Sequence, residues 1–120
     1  MEWTIKGEYY TTTYKDITLK IKRNNLNKET HTFAYNTVVL YRTHETEIIN
    51  YALKGIASSY GYSEINNNLI EKFKNPTIEI TSNEDGIIFW INFIVDNKIV
   101  SCKFKNDFNL LNVKISEVEE

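Results

Sequence analysis

The stretch Asn83–Lys105, NEDGIIFWINFIVDNKIVSCKFK, decides how the chain is built. Successive side chains of a strand point to opposite faces, and Ile87 to Val95 (IIFWINFIV) carries apolar groups on both. Ile87, Phe89, Ile91, Phe93 and Val95 share one face; Ile88, Trp90 and Ile94 share the other, interrupted by Asn92. Asp85-Gly86 is a pair that tight hairpins favour, and Asp96 to Lys98 turns the chain again into Ile99–Lys105. A strand with a hairpin partner on either side is the centre of an antiparallel meander. Burying one such side chain contributes about 1.5–3 kcal/mol, so both faces are expected to be covered. A helix is expected on one face. A second layer from the N-terminal strands, a second helix or another molecule is expected on the other.

Downstream, Leu110–Ile115 is expected to be a last strand before the acidic SEVEE tail. Upstream, Thr77–Ser82 reads as the strand that enters the meander. Before it the period changes to that of helices. Thr43 can cap a helix whose first turn holds Glu45 and Glu47, followed by Ile48, Ile49, Ala52, Leu53, Ile56 and Ala57 at helical spacing. Gly61 supplies a stop. Ser63 opens a shorter helix through Lys74, with Ile65, Leu69, Ile70 and Phe73 as its stripe and Pro76 beyond its end. Further upstream, Glu8–Tyr14 and Ile17–Lys22 read as strands, RNNLNKETH as a long loop, and the β-branched and aromatic Thr32–Arg42 as a third strand. The expected fold is α+β: one domain over residues 1–120, order βββ-αα-ββββ, a curled antiparallel sheet packed on two helices.

The chain has 120 residues, 42% of them hydrophobic and 25% charged, which is globular composition. No apolar run approaches the ~20 residues of a membrane helix, and the start MEWTIKGEYY has neither a basic nor an apolar signal segment. With one cysteine there is no internal disulfide, so a cytoplasmic location is expected. Residues 1–44 hold seven basic and four acidic side chains, and residues 45–120 hold seven and twelve, a polarised distribution within a net charge of −2.

Motifs for catalysis are missing. His44 begins His44-Glu45-Thr46-Glu47, but no second histidine follows at the spacing a zinc-protease helix needs, and a solvated helix start is the expectation. Cys102 shares a face with Val100 and Phe104, as a small core residue would. Four scattered glycines form no phosphate loop. No metal, cofactor or catalytic role is expected. Tyr9, Tyr10, Tyr14, Tyr35 and Tyr41 read as strand aromatics interleaved with Lys15, Lys20, Lys22 and Arg23. Such a pattern serves single-stranded nucleic acid or a protein interface, and an isoelectric point near 5.7 favours the protein.

The loops RNNLNKET and EINNNLIEKFKN and the hairpin NEDGIIFWINFIVDNKIVS, in a single domain of this length, resemble the small immunity proteins of bacterial contact-dependent and polymorphic toxin systems. No motif is shared, so no residue role carries over. The resemblance implies a non-enzymatic protein that neutralises a cognate toxin domain by tight protein–protein contact. Acidic Glu45, Glu47, Glu64, Glu71, Glu84 and Asp85 are the contacts expected toward a basic toxin such as a nuclease, with Tyr10 and Tyr14 as aromatic anchors. The alternatives are a phage-type inhibitor of a host defence complex and a nucleic-acid module on the N-terminal strands. A homodimer would also cover the second face of IIFWINFIV.

Overall fold

The computed structural model describes residues 3–60, 73, 76–95 and 98–117. Its frame is a seven-stranded sheet in sequence order: β1 (Thr4–Lys6), β2 (Tyr9–Tyr14), β3 (Ile17–Lys22), β4 (Thr77–Asn83), β5 (Gly86–Val95), β6 (Lys98–Lys105) and β7 (Leu110–Glu117). Helices α1 (Lys28–Thr43) and α2 (Glu45–Tyr60) connect β3 to β4. The α+β class, the curled sheet and the order βββ-αα-ββββ are as the sequence implies. The sheet is antiparallel except at one joint, where β3 and β4 run parallel, with Leu19 opposite Ile78. A parallel pair needs a long crossover, and the two helices supply it.

Thr32–Arg42 is helix, not strand, and the third N-terminal strand is instead the short β1. Thr30, Ala34, Thr37, Val38 and Tyr41 are the buried residues of α1, one stripe at helical period. The Asn27 side chain accepts from the Thr30 N–H at 3.0 Å while Thr30 Oγ1 accepts from the Asn27 N–H, a reciprocal cap within the expected loop. Thr37 and Thr43 hydroxyls donate back to the carbonyls of Ala34 (2.6 Å) and Val39 (2.9 Å), so these β-branched residues sit in the helix with their polar groups satisfied. Thr43 therefore closes α1 and does not cap α2. Gly61, Glu64, Glu71 and the expected helix Ser63–Lys74 lie outside the described residues apart from Phe73, and so do the side chains of Ile56 and Ala57.

The core lies between the sheet and the helices. Ile17, Leu19 and Ile21 of β3, Ile78 and Ile80 of β4, Phe89, Ile91 and Phe93 of β5, and Val100, Cys102 and Phe104 of β6 are buried beneath Val38, Tyr41, Ile48, Ala52 and Leu53. Phe73 joins this layer, 5.1 Å from Phe93 between ring centres. Cys102 is a core residue, and burial pushes its thiol up to about 12. A thiol reagent at about pH 8 is expected to leave it unmodified in the native chain and to titrate it fully in urea, since only the thiolate reacts. Rapid native labelling would contradict this packing.

Two positions test the fit of the helices. A Cβ on Gly55 of α2 would lie 2.5 Å from Val113 Cγ1 and 3.3 Å from Val113 Cβ on β7. Gly55→Ala is expected to destabilise by about 1–3 kcal/mol despite alanine's better helix propensity, because the close approach leaves no room for a methyl group. Adding Val113→Ala should return part of that loss in urea unfolding; equal losses in single and double variants would place the cost elsewhere. The Tyr41 hydroxyl is buried and has no hydrogen-bond partner among the described residues. Tyr41→Phe should hold or raise the melting temperature, because an unsatisfied buried group costs about 1–3 kcal/mol.

Candidate binding face

Both helices and Phe73 pack on one side of the sheet, and among the described residues nothing covers the other side. Of the expected second layers, the N-terminal strands instead extend the same sheet, and the expected helix Ser63–Lys74 lies outside the described residues apart from Phe73. Ile87, Phe89, Ile91, Phe93 and Val95 are buried, whereas Ile88, Trp90 and Asn92 are half-buried and Ile94 is 68% exposed. Lysine stems explain how the uncovered side is tolerated. Lys103 Nζ lies 5.5 Å from the centre of the Trp90 ring, and Lys20 Nζ lies 4.4 Å from that of Tyr9. Long cationic side chains shield apolar surface while their charges stay wet, and each ammonium gains attraction from the ring face.

Strand register sets the uncovered face out as rows. One row crosses the sheet as Thr11, Lys20, Glu79, Trp90, Lys103 and Asn112. The next runs through Thr13, Thr18, Thr77, Asn92, Ser101 and Lys114. Ile88 faces Lys105 across β5 and β6, Ile94 faces Ile99, and Lys22 lies opposite Tyr9. The surface is dished: Tyr9, Lys22, Thr81, Ile99 and Ser116 join members of both rows around a depression of about 500 Å³.

Five lysines of β3, β6 and β7, Lys20, Lys22, Lys103, Lys105 and Lys114, thus lie on one face, where Glu79 is the one carboxylate that the register places among the described residues. The Tyr9 hydroxyl donates to Glu79, and this bond, with burial and the negative charges nearby, pushes the phenol up to about 12. That leaves Glu79 partly occupied. Among the described residues none of the five lysines is in an ion pair. The chain's net charge is −2, so a basic face here means the remaining surface is more acidic still.

The residues expected from sequence to bind a partner are distributed elsewhere. Tyr10 and Tyr14 lie opposite Ile21 and Ile17, on the helix side of the sheet. Tyr14 meets Tyr35 edge-on at 5.4 Å, in a cluster where Trp3 Nε1 donates to Tyr35 Oη at 3.0 Å. Tyr35 and Tyr41 are on α1, not on a strand. Glu45 pairs with Arg42 at 3.6 Å. Glu47 accepts from the Tyr51 hydroxyl at 2.7 Å and lies 3.6 Å from His44 Nδ1. His44, Glu47 and Tyr51 line a small pocket of about 270 Å³ with Asp107 and Phe108 of the β6–β7 turn. Glu84 and Asp85 are exposed at the β4–β5 turn, where the Asp85 N–H donates to Asn83 Oδ1 at 2.8 Å. Glu64 and Glu71 lie outside the described residues.

The sequence places Lys20 and Lys22 on a strand among the tyrosines and Trp90 on the second face of β5. It did not bring Lys103, Lys105 and Lys114 to the same surface, because that depends on pairing across the whole sheet. Alternation in IVSCKFK, which sets Ser101, Lys103 and Lys105 opposite the core face, is the signal that carries them there. Among the described residues no three His, Cys, Asp or Glu side chains converge as metal ligands, and no helix is long and apolar enough to cross a membrane. Compared with known proteins, the chain matches no protein-family model, no curated protein and no solved structure.

Proposed function

We propose that this chain is a non-enzymatic binding protein that neutralises a toxin domain by docking it on the uncovered face of the sheet. The observation that carries the reading is that face itself. It is dished, spans strands β2 to β7, and holds a half-buried tryptophan at its centre with an exposed isoleucine toward one end. Aromatic anchors ringed by polar groups are what concentrate binding energy at protein interfaces. A stable complex needs roughly 800 Å² on each partner, which a face of six strands supplies.

The immunity reading moves the contact surface from the acidic helix start and hairpin turn to the sheet. It is tested by expressing toxin domains encoded beside this gene, alone and together with the chain. Restored growth and a co-purifying complex are expected with one of them. If every neighbouring toxin domain kills cells equally with and without the chain, the reading fails.

A further inference from the structure

We propose that the partner presents an acidic protein surface to this face, rather than the basic one implied by the acidic residues of the chain's second part. This rests on the docking role given to the sheet above, and charge complementarity sets the choice. Lys20 and Lys103 occupy one row on either side of Trp90, Lys114 lies in the next, and Lys22 and Lys105 extend the positive surface toward the β4–β5 turn. The single carboxylate among them, Glu79, already accepts from Tyr9. Two of the ammonium groups are held over aromatic rings, at 4.4 and 5.5 Å, so part of the entropy of ordering them is lost before the partner arrives. Carboxylates meeting such a face steer association and fix register.

An acidic protein fits these observations better than single-stranded nucleic acid. Nucleic-acid platforms stack bases on open ring faces, whereas Tyr9 and Trp90 each carry a lysine over the ring. Ile94, exposed and directly opposite Ile99, adds an apolar contact that a protein side chain can fill.

The test titrates the full chain at low salt with three fluorescent probes: a glutamate octapeptide, a lysine octapeptide and a thymidine octanucleotide. Amide shifts recorded by NMR locate each contact. The glutamate peptide is expected to bind, to perturb β3, β5 and β6, and to lose about tenfold in affinity in the Lys20→Glu/Lys103→Glu variant. Lys28→Glu, at the start of α1, should leave its binding unchanged. Raising the salt to about 0.5 M should weaken it strongly, because exposed charges are then screened within a few ångströms. Absence of glutamate-peptide binding, an unaffected double reversal, or equal binding of the lysine peptide would overturn the proposal. Tighter binding of the octanucleotide would assign the face to nucleic acid instead. If a toxin complex survives the lysine reversals but is lost in Trp90→Ala, the acidic-partner inference falls and the docking face stands.

Discussion

Replacing Phe89 by alanine is expected to bring the chain to the edge of unfolding. Phe89 lies at the centre of an aromatic cluster that ties three parts of the fold together. Its ring stacks on Phe104 of β6 at 5.3 Å, meets Phe33 of α1 edge-on at 5.5 Å, and touches Phe108 of the β6–β7 turn at 4.8 Å. It is fully buried. A Phe→Ala change in such a core costs about 3–5 kcal/mol, because the lost transfer energy is joined by that of a cavity its neighbours cannot fill. Single domains are stable by only about 5–15 kcal/mol, so most of the reserve would go. Urea unfolding should show a much lower midpoint with an unchanged slope. A loss below about 1 kcal/mol would mean that the cluster is not packed as described.

The second large effect concerns binding and should come without that instability. Trp90→Ala is expected to weaken partner binding by at least 2 kcal/mol, about thirtyfold, as truncation of a central interface tryptophan does. Ile94→Asp should also impair the complex by placing a carboxylate in its apolar contact. At 68% exposure, that change should alter the stability of the free chain by no more than about 0.5 kcal/mol. Calorimetry on the complex and thermal unfolding of the free chain separate the two. If both variants bind as tightly as the parent while Glu45→Lys or Asp85→Lys abolishes binding, the partner sits on the helix side or at the hairpin turn.

How much of this was legible in the sequence depends on the range of the signal. The β4–β5–β6 meander was, because its cues are local: the Asp-Gly turn, the alternation in IVSCKFK and the length of IIFWINFIV. The buried stripe of α2 was also legible, with Ile48, Ile49, Ala52 and Leu53 all in the core. Thr32–Arg42 misled because threonine, valine and tyrosine suit a pleated surface. Their 3.6-residue spacing and the Asn27 cap outweigh that preference once the stripe has a sheet to pack on. The parallel β3–β4 joint left no local trace, since it depends on how the helical crossover returns the chain.

Apolar content on both faces of β5 was legible in the sequence, but which of the expected second layers meets Trp90 was not. The Lys103 ammonium lies over the Trp90 ring, and a strand with two apolar faces can keep one of them for a partner. The basic face was hidden for a related reason. Lys20 and Lys103 are far apart in the chain and meet only through the register of the sheet, so the sequence balance presented a basic start and an acidic remainder. Folding instead sorts charge by face. Among the acidic candidates described, Glu45 and Glu47 end at a helix start, engaged with Arg42, His44 and Tyr51, and Glu84 and Asp85 at an exposed turn.

Hydroxyl-radical footprinting of the chain, free and in complex with the toxin domain proposed as its partner, shows directly which surface the partner covers. Trp90, Ile94 and Ile99 should be oxidised in the free chain and protected in the complex, while His44 and Tyr51 keep their reactivity. Protection confined to His44, Tyr51 and the helix side, with Trp90 and Ile94 still open to oxidation, would contradict docking on the sheet.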